Sequence, residues 1–135
     1  MFLATIHFPG NCNQAISFYK EVLGAQVKDI AYGKDAPQTP ETAAMAMPPD
    51  FVMHSFILID NTLVAMTDGC ENKPSSPNYS FMLMKDTVAE VEALFTKLGE
   101  GGKVVAPLGP VFWADMYGMV EDQFGVTWQI MTNNQ

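Results

Sequence analysis

Two stretches decide the fold: Asn11-Cys12-Asn13-Gln14-Ala15-Ile16-Ser17-Phe18-Tyr19-Lys20-Glu21-Val22-Leu23-Gly24, and Asp86-Thr87-Val88-Ala89-Glu90-Val91-Glu92-Ala93-Leu94-Phe95-Thr96-Lys97-Leu98-Gly99. In the first, Cys12, Ala15, Ile16, Tyr19, Val22 and Leu23 recur at steps that gather them on one face of a helix. In the second, Val88, Val91, Leu94, Phe95 and Leu98 do the same. Asn11 and Asp86 stand at the N-cap position, where a side-chain oxygen accepts from an orphan N–H of the first turn. Gly24 and Gly99 stand where a helix stop belongs. The two stretches overlay at a shift of 75 positions, Asn11 on Asp86, Ile16 on Val91, Leu23 on Leu98 and Gly24 on Gly99.

The flanks repeat as well. Residues 2–8 read as a strand closed by Pro9-Gly10, and 25–33 as another. Strands follow at 52–60 and 62–68, joined by a tight turn at Asp60-Asn61. In the second half, strands are expected at 78–85, 103–106, 112–120 and 126–132, with 121–125 joining the last two. A polar linker, 71–77, separates the halves. Strand, helix and three strands thus occur twice, which predicts a duplicated βαβββ unit. The fold class is α+β. The 135 residues make a single domain of two modules, about 1–70 and 78–135. Each half is marginal as an independent core.

Composition limits what such a domain can hold. Fifteen acidic residues face seven basic ones, for a net charge of −8, and all seven are Lys. Phosphate contact needs clustered Lys and Arg, so nucleic acid is excluded as a partner, and an anionic membrane surface equally. The missing Arg removes the bidentate clamp for carboxylates and phosphates. The N-terminus carries no basic region before an apolar run and does not read as a signal peptide. No stretch reaches the ~18 apolar residues of a membrane span. Cys12 and Cys70 fit no metal or redox spacing and read as reduced thiols of a cytoplasmic protein. There is no phosphate-cradling G-x-x-x-x-G-K-[ST] or G-x-G-x-x-G run and no G-x-S-x-G elbow.

The segment Gly10 to Tyr19, continued by Leu23-Gly24, resembles the first helix of the glyoxalase/bleomycin-resistance/dioxygenase group, the vicinal oxygen chelate superfamily. Phe112-Trp113-Ala114 and Asp122-Gln123-Phe124-Gly125-Val126-Thr127-Trp128 resemble its PhnB-like branch. The resemblance covers nearly the whole chain. It implies paired βαβββ modules whose curled sheets line a cavity, and a homodimer. In enzymatic members it implies a divalent metal held by His, Glu or Gln from the first and last strands of each module, acting as a Lewis acid. Carried onto this sequence, those positions fall on Ala4, Met66, Ser80 and Gln129. Ala and Met are not oxygen or imidazole donors, and Ser is a poor one. No metal site is therefore assigned, with a divalent metal kept only as the alternative. Some PhnB-like sequences have been labelled methyltransferases, but no strand–glycine loop–helix segment here would bind a nucleotide-like methyl donor.

Other side chains then come into view. His54 opens a strand and would suit a general base at a cavity rim, or would be a satisfied histidine at a sheet edge. By strand parity His7 is expected opposite Ala4, toward the helix layer or an edge. Trp113, Asp115 and Tyr117 alternate along one strand and share a face: concave, they offer a stacking platform, a carboxylate and a phenol; convex, Trp113 is core. Asp115 joins His54 as a catalytic candidate on the concave reading. Met66, Met82 and Met84 would line the cavity as a soft wall, or be ordinary core, with Ser80 and Gln129 as its polar groups. Asp122 is expected to bond local N–H groups in a turn, and Cys12 to pack rather than react. The Pro- and Met-rich segment 33–50 reads as a lid, a dimer contact or disorder.

The expected function is a metal-free binding protein for an aromatic or hydrophobic small molecule. The alternative is a lyase, isomerase or dioxygenase-like enzyme using a metal or a His/Asp pair. A third possibility is an interaction protein whose cavity has collapsed.

Overall fold

A computed structural model describes residues 1–45, 47–71, 74 and 78–133. Most of the expected 71–77 linker lies outside the described residues. The chain divides into two compact units, Met1–Lys73 and Pro74–Gln135.

The first unit runs β1 (Thr5–Phe8), α1 (Cys12–Leu23), β2 (Gln26–Tyr32), α2 (Pro40–Met45), β3 (Val52–Ile59) and β4 (Thr62–Asp68). Its sheet has the order β1-β4-β3-β2, with β1 parallel to β4 and the other pairs antiparallel. Along β4, Val64, Met66 and Asp68 share one face, and Asp68 reaches the start of α1, so this is the helix side. Ile6, Phe8, Ile57 and Met66 bury there with Cys12, Ala15, Ile16 and Tyr19 of α1. Gly24 ends α1 in the left-handed region (φ 65°), as its position predicts.

The N-cap differs. Asn11 makes no side-chain capping bond; Asp68 Oδ1 instead accepts from Gly10 N at 3.0 Å and Cys12 N at 2.9 Å. A carboxylate at the end of the neighbouring strand β4 thus satisfies the helix start. Part of 33–50 is also ordered. Pro40 takes the first helical position of α2, and Thr39 and Thr42 bond each other's backbone N–H reciprocally. Asp60 and Asn61 both have positive φ (48° and 65°), as a primed two-residue hairpin turn demands.

The second unit runs β5 (Phe81–Lys85), α3 (Val88–Leu98), β6 (Lys103–Val111), β7 (Ala114–Glu121) and β8 (Thr127–Thr132), with sheet order β5-β8-β7-β6. Its helix starts one residue later than Asp86 implies. Thr87 is the N-cap, its hydroxyl accepting from Glu90 N at 3.2 Å. β6 extends to Val111 despite Pro107 and Pro110, because an edge strand has N–H groups that need no partner. β7 begins at Ala114, so Phe112 and Trp113 form the hairpin turn.

Gly118 of β7 lies under α3. A Cβ there would sit 2.6 Å from Phe95 Cε2 and 2.9 Å from Leu108 Cδ2. Gly118→Ala is expected to overpack this contact and cost about 1–3 kcal/mol, lowering the urea midpoint at unchanged slope. Among the described residues, no helix is long and apolar enough to cross a membrane.

Candidate functional site

Strand pairing fixes which side chains share the face away from α3. Met82 of β5 pairs with Gln129 of β8, and Gln129 with Met119 of β7. One row on, Met84 pairs with Met131, and Met131 with Tyr117. These residues alternate with the buried Leu83, Ile130 and Val120, so they lie on the open face. A hydrogen-bond chain crosses it. Tyr117 Oη donates to Gln129 Oε1 at 2.8 Å, and Gln129 Nε2 donates to Ser80 Oγ at 2.9 Å. The amide is thus held in one orientation by a donor on one side and an acceptor on the other.

Trp113 reaches this face from the turn. Its ring meets Tyr117 edge-on at 5.4 Å and Phe112 at 4.7 Å. Trp113 remains 46 % exposed, Met82 47 % and Met84 44 %. Asp115 shares the parity of Tyr117 and is exposed. Of the residues the sequence grouped, Ser80, Met82, Trp113, Tyr117 and Gln129 therefore come together. Met66 does not. It is fully buried on the helix side of the first sheet, and Ser55 Oγ donates to its carbonyl at 2.6 Å.

The error is one of register. Thr5 pairs with Ala65 and His7 with Thr67, so the first unit's open-face positions on these two strands are Thr5, His7, Ala65 and Thr67, and Met66 falls on the other face. The same parity corrects His7. It lies on the open face of the first sheet, with Nδ1 2.9 Å from Thr67 Oγ1. His54 is exposed on that face, its ring 5.9 Å from Phe56. His54 and Asp115 belong to different units.

In the second unit the carried-over positions supply a hydroxyl at Ser80 and an amide at Gln129. Among the described residues no group of three His, Cys, Asp or Glu is placed to hold an ion.

Cys12 is buried, and burial, aided by the Asp68 charge, pushes its thiol up to about 12. Native protein is expected to leave Cys12 unalkylated by iodoacetamide at mildly alkaline pH while denatured protein reacts. The folded thiol ionises at higher pH than the unfolded one. This contribution to stability is therefore full below the ordinary cysteine range and is lost as pH climbs toward about 12.

The sequence profile of the Glyoxalase/Bleomycin resistance protein/Dioxygenase superfamily matches residues 5–130. Protein YjdN of Escherichia coli (strain K12) is 31 % identical over 132 residues, 93 % of this chain and 90 % of YjdN. The crystal structure of protein PA1353 from Pseudomonas aeruginosa is 31 % identical, with a TM-score of 0.81 over 98 % of this chain and 97 % of its own. The PhnB protein from Bacillus cereus, 20 % identical, has the same fold at a TM-score of 0.81 over 98 % of both chains. FosX from Mesorhizobium loti shares the fold at 13 % identity and a TM-score of 0.67, covering 99 % of this chain and 91 % of its own. A two-module fold, a profile matching residues 5–130 and a relative 31 % identical over nine-tenths of both chains leave one conclusion: this chain belongs to the glyoxalase/bleomycin-resistance/dioxygenase superfamily.

Proposed function

We propose that the protein binds a flat aromatic or hydrophobic small molecule on the open face of the second unit, without a divalent metal. The observation that carries this reading is the oriented Tyr117–Gln129–Ser80 chain beside a half-exposed Trp113. Trp113 supplies a stacking surface, Met82 and Met84 a deformable apolar wall, and Gln129 a fixed amide. The absence of Arg from the whole chain favours a ligand without phosphate or carboxylate. Cys12 and Cys70, both thiols rather than disulfide sulfurs, support a reducing, cytoplasmic setting, and the family resemblance a homodimer.

A thermal-shift screen against indole, naphthol and similar planar compounds tests it. Hits on the native protein are expected to vanish in Trp113→Ala and to weaken in Gln129→Leu. Hits that persist unchanged in both variants would move the site elsewhere.

A second reading has one observation in its favour. His7 pairs with Thr67 and its Nδ1 lies 2.9 Å from Thr67 Oγ1, and His54 is exposed on the same face of the sheet. Two imidazoles and a hydroxyl on one face are groups suited to acid–base chemistry. If an activity is found, loss in both His7→Ala and His54→Ala would support it, and retention in both would remove it.

A further inference from the structure

We propose that Met82, Met84 and Met131 form a thioether site for a soft monovalent cation, Cu(I), for which Ag(I) is a redox-inert stand-in. The geometry comes from the register. Met84 is the in-register partner of Met131, and Met82 stands one row away on the same strand and face. Partners on adjacent strands lie ~4.8 Å apart, and Met82 and Met84 about 6.8 Å apart along β5. Each sulfur is placed by two rotatable bonds of an unbranched side chain, so three thioethers can converge over the sheet. Met82 and Met84 are nearly half exposed, so an ion reaches them without unfolding.

Met82 and Met84 lie on the edge strand β5, whose open face is ordinarily polar, and β-branched or aromatic residues suit strands better than Met. Ligand chemistry accounts for methionine there. A neutral thioether is a soft ligand that selects Cu(I) and leaves Zn(II) and Mg(II) to nitrogen and oxygen donors. Those hard and borderline ions find no cluster of three His, Cys, Asp or Glu among the described residues. Gln129, held by Tyr117 and Ser80, stands between Met82 and Met119 in its row. The charge of −8 favours approach of a cation. Met82 and Met84 also belong to the proposed aromatic site; Trp113, which that site needs and the cation site does not, separates the two, because Trp113→Ala should remove aromatic binding and leave Ag(I) binding unchanged.

The test is a titration of the whole chain, carrying Cys70→Ser and 13C-methyl-labelled methionine, with Ag(I). Cys70→Ser removes the accessible thiol and keeps a donor to the His7 carbonyl; Cys12 is buried. The methyl signals of Met82, Met84 and Met131 are expected to move together and to saturate at about one equivalent. Met84→Leu, which keeps the apolar volume, should weaken binding on the order of tenfold or more. Replacing all three by Leu should abolish it, and Zn(II) should move none of the three signals. Silver that shifts other methionines but not these, or that binds the triple variant undiminished, overturns the proposal. Should the triple variant fail to fold, Met84→Leu at its half-exposed edge position decides, and unchanged affinity there overturns it equally.

Discussion

Asp122→Ala is expected to cost about 3–5 kcal/mol, a large part of the roughly 5–15 kcal/mol that holds a domain together. Asp122 is 2 % exposed. Its Oδ1 accepts from Phe124 N at 2.9 Å and Val126 N at 3.0 Å, and its Oδ2 from the Trp128 indole N–H at 2.9 Å. Truncation leaves three buried donors without an acceptor, each carrying a desolvation penalty. Asp122→Asn should cost less, because one oxygen remains, but its NH2 then faces one of the former donors. Urea unfolding measures both, and the near-ultraviolet signal of Trp128 should weaken in the Ala variant. A loss below about 1 kcal/mol would mean that water replaces the carboxylate there.

Asp68→Ala is expected to be nearly as severe, about 3–4 kcal/mol. Asp68 ties three segments of the first unit: Oδ1 takes Gly10 N and Cys12 N, and Oδ2 takes Val52 N at 3.0 Å. The variant removes the acceptor that starts α1, so hydrogen exchange should speed up at Gly10, Cys12 and Val52 before it does elsewhere. Uniform exchange with no stability loss would contradict this role. The two aspartates share a solution to one problem. The chain has no Arg, and these buried carboxylates are satisfied by N–H donors gathered from turns, a helix start and an indole.

Both βαβββ units were legible in the sequence because they rest on periodicity. Helix faces repeat every three to four residues, and the strands lie between clear turn signals. What escaped were interactions between distant residues. Asn11 carries the chemistry of an N-cap, yet Asp68, remote in sequence, does the capping. Asp86 and Thr87 are both competent caps, and only backbone geometry separates them. The Thr39-Pro40-Glu41-Thr42 signal for α2 was present, and the surrounding prolines obscured it.

The candidate site was legible only in part. Ser80, Met82, Tyr117 and Gln129 fell on one face because strand parity in the second half was right. Met66 and His7 were misplaced because a one-residue slip exchanges the two faces of a strand. Trp113 reached the face through a turn rather than through strand alternation. The pairing of Met84 with Met131 needed the β5–β8 register, which a local reading cannot supply.

The most direct measurement of the central claim follows the two indole N–H signals while a planar aromatic such as naphthol is titrated into the protein. Trp113 is half exposed beside Tyr117, whereas Trp128 is buried against Asp122. The Trp113 signal is expected to move and saturate, together with the Gln129 side-chain amide, while the Trp128 signal stays in place. A saturating ligand that leaves Trp113 and Gln129 unmoved, or that shifts Trp128 and the helix-side core instead, would contradict that claim.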